Sequence, residues 1–230
     1  MKSTPVKDRI LYEDNHLIIV NKLPSEIVQA DETGDTPLSD LVKDYLRVKY
    51  HKSGNIFLGI PHRLDRPTSG IVIYSKTDKA LSRLGSMFRE KKISKTYWAV
   101  VDKMPAEHEG ELKHYLVRNR QKNKSIAHDT EKRNSKFAHL SYKLAGATQN
   151  YYLLEIDLHT GRHHQIRAQL SAIGCSIKGD LKYGARRSNR GGGIYLHARK
   201  VEFEHPVKKE KMTIIADPPK DALWSCFKGL

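Results

Sequence analysis

The chain alternates between two hydrophobic rhythms, and each rhythm predicts its own elements. Residues 10–12 and 16–21 are β-branched runs around Asp14-Asn15, the signature of a hairpin. Leu38, Leu41, Val42, Tyr45 and Leu46 recur at helical spacing, and Pro37 after Thr36 suits a first helical position, so a helix is predicted over 37–50. The run 69–75 is a continuous apolar strand. Ala80, Leu81, Leu84, Met87 and Phe88 mark a second helix over 78–92 with Thr77 as N-cap. Further strands are predicted at 96–101, 136–144, 151–159, 194–204 and 211–216, and a helix over 163–173 ends at Gly174, a C′ glycine. Strands joined mostly by hairpins, without βαβ alternation, predict an α+β fold with a mixed, largely antiparallel central sheet and flanking helices and loops.

Composition narrows the class. At 38% hydrophobic residues the chain can bury a core. No apolar run reaches the length of a membrane span and no secretory leader is legible, so a cytoplasmic protein is expected. Cys175 and Cys226 have no zinc spacing, and His159, His163 and His164 lack a partner cysteine or an HExxH pattern. Glycine-rich dinucleotide and P-loop motifs are absent. Neither metal nor cofactor is expected.

Charge points to the partner. Lys and Arg number 41 against 26 Asp and Glu, a net charge of +15. Such an excess favours a polyanion through counterion release and long-range steering. Residues 113–136 hold eight Lys and Arg against Asp129 and Glu131, and read as a basic loop. Arg186, Arg187 and Arg190 lie beside Gly191-Gly192-Gly193, a backbone able to mould to phosphates.

Three segments carry candidate chemistry. In Pro61-His62-Arg63-Leu64-Asp65-Arg66-Pro67-Thr68-Ser69-Gly70, Leu64 can anchor the loop while Arg63 and Asp65 point elsewhere. The plain alternative is a turn in which Asp65 accepts from the backbone of Thr68 and Ser69. Lys95-Thr96-Tyr97 opens a strand and reads equally as an ordinary aromatic strand residue. In the predicted helix from 163, Ile166, Leu170 and Ile173 form the buried face, and His163 and Arg167 share a side one turn apart.

Together these segments resemble the RluA family of pseudouridine synthases. His62-Arg63-Leu64-Asp65 with Thr68-Ser69-Gly70 is similar to HRLDxxTSG, Lys95-Thr96-Tyr97 to KxY, Thr160-Gly161-Arg162-x-His164-Gln165-Ile166-Arg167 to TGRxHQIR, and Gly179-Asp180 with Tyr183-Gly184 to GDxxYG. The likeness runs from about residue 9 to about 217, in order. Two departures stand out: Leu23 precedes Pro24 where the family has NKP, and Gln169 stands where a histidine is frequent.

The resemblance implies a single catalytic domain over 1–230 with terminal extensions at 1–8 and 218–230, no S4 domain, and isomerisation of a uridine in rRNA or tRNA without cofactor or metal. It implies Asp65 as the carboxylate at the sugar, either nucleophile at C1′ or base at C2′. Arg167 keeps Asp65 ionised, and an Arg167→Ala protein is expected to lose activity yet still fold. Tyr97 stacks on uracil and takes the C5 proton, and Arg63 fills the space left by the flipped nucleotide. Further RNA contacts are expected at His62, Arg66, Thr68, Lys95, Arg162, His164, Arg186 and Arg187. The alternative is a non-catalytic RNA-binding module on the same fold. An N-glycosidase or nuclease lacks its second carboxylate or metal ligands.

Overall fold

A computed structural model describes residues 4–227, so the outer ends of both expected extensions lie outside the described residues. In chain order the elements are β1 (Ile10–Glu13), β2 (Leu17–Lys22), α1 (Leu38–Lys49), β3 (Ser69–Ser75), α2 (Asp78–Arg89), β4 (Ser94–Val101), β5 (Glu109–Asn119), β6 (Lys124–His128), β7 (Lys136–Ala147), β8 (Tyr152–Leu158), α3 (Gln165–Ala172), β9 (Leu196–Glu204), β10 (Lys211–Ile215) and α4 (Ala222–Ser225). Short 3-10 turns occupy Val6–Arg9 and Leu181–Tyr183. The class is the α+β, largely antiparallel architecture expected. The chain forms two compact units. One holds the chain up to Ile93 together with Arg199–Asp217; the other holds Ser94–Ala198 and the segment from Pro218 onward.

In the first unit β1, β2 and β3 pair antiparallel, with Leu17 opposite Ser75 and Lys22 opposite Gly70. The first hairpin is closed by Asp14, whose Oδ1 accepts from the amides of His16 and Leu17 at 2.8 Å each. Every residue of β3 is buried, which is why it reads as an unbroken apolar run rather than an alternating one. Ile18, Val20, Val72 and Tyr74 pack with Leu38, Val42 and Leu46 of α1. β9 and β10 pair antiparallel, Lys211 opposite Glu204. Thr77 caps α2 as expected, its hydroxyl accepting from the Ala80 amide.

In the second unit β4, β8, β7, β5 and β6 follow one another as antiparallel neighbours. Ile166 and Leu170 of α3 pack on one face against Ala99, Val101, Leu112, Leu140, Leu154 and Ile156. On the other face Trp98, Val100 and Leu153 are covered by Trp224 and Phe227, which follow Asp221, the N-cap of α4. Burial of large apolar side chains such as these stabilises by about 1.5–3 kcal/mol each.

Several expectations change. Pro37 is the N-cap of α1 rather than its first helical residue. The helix predicted over 78–92 stops at Arg89. The helix predicted from 163 starts at Gln165, because His164 has φ 52°, a left-handed conformation that cannot continue a helix. Gly174 has φ 76° and is the C′ glycine expected. The basic segment 113–136 is mostly sheet: β5, β6 and the start of β7 fall within it. Its alternation is real, with Leu112, His114 and Leu116 buried between Lys113, Tyr115 and Val117, but a buried histidine and many charges disguise it. Among the described residues no helix is long and apolar enough to cross a membrane.

Candidate active-site residues and the family they define

Asp65 belongs to the first unit, in the loop that leads into β3. Leu64 packs onto the apolar cluster beneath, as its position between polar neighbours predicted. Main-chain bonds help to fix the loop. The Thr68 amide donates to the Asp65 carbonyl at 3.0 Å, and the Ser25 amide to the Arg66 carbonyl at 2.9 Å. A turn over Asp65 is therefore present, with the main-chain oxygen as one acceptor. His62 accepts from the Ile73 amide through Nε2 at 2.9 Å, and its ring lies 4.7 Å from that of Phe88. These contacts give His62 an anchoring role. The Arg63 side chain is exposed. Arg66 is exposed too and bridges Asp35. Thr68 is buried.

The sequence reading missed Lys22. It ends β2 and is fully buried, with Nζ donating to the Leu23 carbonyl at 2.9 Å and to the Arg66 carbonyl at 3.0 Å. Burial pushes its ammonium down to about 7, against the opposing pull of the Glu26 and Asp65 carboxylates. Lys22 thus holds the strand end to the Asp65 loop and places a titratable amine in the field of that carboxylate. Its only sequence signal was a place in the NKP-like stretch. A lysine ending an apolar strand otherwise reads as solvated.

Tyr97 and Arg167 belong to the second unit. Tyr97 is half-buried on β4, opposite Ile156, and packs on the cluster that α3 covers. The Lys95 Nζ lies 3.8 Å from where a Cβ on Gly161 would sit, so the strand start and the 160–167 turn adjoin. That turn is held by Gln165. Its Oε1 accepts from the Thr160 hydroxyl at 2.8 Å and the Arg162 amide at 3.0 Å, and its Nε2 donates to the His139 carbonyl.

Arg167 is buried at 5% exposure, not merely beside the buried face. Its guanidinium meets Asp180 as a fork, Nε to Oδ2 at 2.6 Å and Nη2 to Oδ1 at 2.8 Å. The Arg167 Cζ also lies 5.0 Å from the Tyr183 ring centroid. Asp180 and Tyr183 are the D and Y of the GDxxYG-like stretch. Gly184, with φ 100°, turns the chain directly after Tyr183. The Tyr183 oxygen accepts from the Ser125 amide at 2.7 Å and lies 3.0 Å from the His164 Nδ1. Burial, then the charge of Arg167, drives His164 down to about 2, so its ring is neutral. His163 is not on the helix with Arg167. It reaches Asn123 and Ser125, each at 3.0 Å, and pins the β5–β6 hairpin to the start of α3.

Gln169, the departure from a frequent histidine, is fully buried and donates to the Leu112 carbonyl at 2.9 Å. It ties α3 to β5. Arg162, Arg186 and Arg187 are exposed. The loop bearing the last two is stitched by Asn189, which donates to the Gly193 carbonyl at 2.8 Å and accepts from Lys178 at 2.7 Å.

Comparison with known proteins completes the picture. Residues 16–172 match the model of the family described as RNA pseudouridylate synthase. The ribosomal large subunit pseudouridine synthase D of Zymomonas mobilis is 32% identical over 92% of this chain and 69% of its own length. The ribosomal large subunit pseudouridine synthase C of Buchnera aphidicola is 34% identical over 93% of this chain and 68% of its own. The solved structure of human RNA pseudouridylate synthase domain containing 4 shares the fold, with a TM-score of 0.78 and 22% identity over 94% of this chain and 90% of that one. The family match and the relatives' activity define an isomerase that acts on RNA. The chain belongs to the RNA pseudouridylate synthase family, as its RluA-like motifs predicted, and the reading as a non-catalytic binding module gives way to that of an enzyme.

Proposed function

We propose that this pseudouridine synthase acts on a uridine of ribosomal RNA, with Asp65 as its catalytic carboxylate. Relatives that are ribosomal large subunit pseudouridine synthases support ribosomal RNA over transfer RNA as the substrate. The cytosol is the compartment that fits such a substrate.

The chemistry assigns the roles. The target nucleotide must leave the stack, at a cost of a few kcal/mol that is least in loops and single strands. Arg63, exposed beside Asp65, offers a planar guanidinium to fill the gap. Cleavage of the N1–C1′ bond builds positive charge on the ribose, which a carboxylate stabilises, as in glycosidases. Asp65 does so as nucleophile at C1′ or as base at C2′. Uracil then turns, C5 bonds to C1′, and the C5 proton leaves. Tyr97 stacks on the base and relays that proton, and Arg167 supplies the cation that favours an ionised carboxylate. No second carboxylate is required, because uracil delocalises its own leaving charge.

The observation that carries this reading is the Asp65 loop. Its main chain is pinned by Lys22, Ser25 and the turn at Thr68, and its base by Leu64 and His62. That is the pre-organisation a catalytic carboxylate needs. Pseudouridine mapping in ribosomal RNA from cells with and without the gene, and from cells carrying Asp65→Asn, is the test. A uridine converted only by the wild-type gene is expected. Conversion by Asp65→Asn would remove Asp65 from its role. Tyr97→Phe should cleave the glycosidic bond yet stall before proton loss, and wild-type rates would release Tyr97 from that step.

A further inference from the structure

The face of the second unit's sheet turned away from α3 carries a row of four rings, with Phe137 and His159 exposed and Tyr115 and His139 half-buried. Side chains alternate along a strand. Since Leu116, Ala138 and Leu140 are buried on the α3 side of the sheet, Tyr115, Phe137 and His139 point to the other side. Tyr115 sits opposite Phe137 across β5 and β7, and the row continues through His139 to His159 just beyond β8. Successive ring centroids are 5.7, 6.4 and 4.4 Å apart. Phe137 is 43% exposed, a large aromatic that folding alone would bury.

The surroundings are selective. Lys113, opposite His139 on the same face, is exposed and pairs with Glu111, and the exposed Arg162 donates through Nε to the Phe137 carbonyl at 3.0 Å. Burial and then His159 hold His139 below its ordinary value, which leaves a neutral ring suited to stacking. Farther along the same strands, Glu109, Glu111, Glu155 and Asp157 line a groove with Lys143, which pairs with Glu155 at 2.9 Å, so carboxylates outnumber cations there. The stretch best suited to an anion is thus the one between the rings and Arg162.

We propose that this row is a stacking platform for single-stranded RNA, separate from the face on which Tyr97 packs. Each base offers a π-face whatever its identity, so a row of rings with Lys113 and Arg162 at its edge holds unpaired nucleotides without reading their sequence. On a pseudouridine synthase, such a surface would engage unpaired RNA outside the nucleotides at the reacting centre.

The test is binding of fluorescein-labelled octaadenylate, which holds no uridine, so its outcome does not depend on the role of Asp65. Phe137→Ala should weaken binding by about tenfold, the scale of one lost base stack. Phe137→Leu should lose nearly as much, and Phe137→Trp should restore it. The loss should be the same at low and high salt, whereas Lys113→Ala with Arg162→Ala should flatten the salt dependence. Val48→Ala, at a 75% exposed aliphatic site in the first unit, is the control and should bind as wild type. Because Phe137 is exposed, its variants should keep the wild-type melting temperature. Wild-type affinity in both Phe137→Ala and His159→Ala would overturn the proposal and leave the face to a protein partner. Full affinity in Phe137→Leu would overturn the stacking mechanism.

Discussion

The loop that carries Asp65 and the helix that carries Arg167 are fixed in opposite ways. The Asp65 loop is tied through main-chain oxygens, with Lys22 and Ser25 both donating to the Arg66 carbonyl. Arg167 is tied through its own side chain, gripped by a buried Asp180 and laid against Tyr183. The difference separates function from stability. Backbone bonds of this kind persist when a side chain is exchanged for one of the same shape, as in Asp65→Asn. A side chain that neutralises a buried carboxylate cannot be removed without stranding it.

The largest effect should come where the two functions separate most cleanly. Asp65→Asn should lower turnover by about a thousandfold or more while leaving the thermal midpoint near wild type, read by tritium release from C5 and by calorimetry. A parallel drop in stability would break the contrast. Arg167→Ala should lose activity and also about 3–5 kcal/mol of stability in urea titrations, because Asp180 is left buried and unpaired. This revises the expectation from sequence that Arg167→Ala simply folds. Stability intact in that variant would show that water or another cation compensates Asp180.

Lys22 gives a smaller, pH-dependent effect. Its amine titrates near 7 in the fold and near 10.5 in the unfolded chain, so between those values the unfolded chain binds the extra proton. Stability from this group therefore rises as pH increases across that window. Lys22→Met should abolish the rise, measured as urea midpoints at neutral and mildly alkaline pH. The smallest effect belongs to Glu13, the last residue of β1. Burial alone would raise its carboxyl, but bonds from Lys49, Tyr50 and Lys76 bring it down to about 2 from its ordinary 4.5. Its stabilisation is complete above 4.5 and is lost as pH falls towards 2. Glu13→Gln should be less sensitive to acid over that range.

What could be read from the chain depended on whether local signals sufficed. β3 was predicted to the residue, since its apolar run is bounded by a turn-forming loop and a capping threonine. Thr77 and Gly174 were legible because caps are local chemistry. The β5–β6 hairpin was not, since lysines and arginines on its outward and turn positions outweighed the alternation of Leu112, His114 and Leu116. Asp180 and Tyr183 were visible as a motif, but their grip on Arg167 depends on a turn folding back over 13 residues. Lys22 was hidden for the converse reason. Lysine is almost never buried, so nothing local announces one whose ammonium is satisfied by two carbonyls of neighbouring loops.

The first unit is closed by Arg199–Asp217, which bring β9's outer half and β10 together with the bond from Asn21 to the Asp217 carbonyl. During synthesis those residues leave the ribosome only after the whole interval from Ser94 to Ala198 has been made. At about 5–20 residues per second, the nascent N-terminal half waits on the order of ten seconds for its last strands. For that time its Ile- and Val-rich β2 and β3 lack the late partners of the finished unit. Shielding by the translation machinery or by chaperones then becomes part of how this enzyme is made.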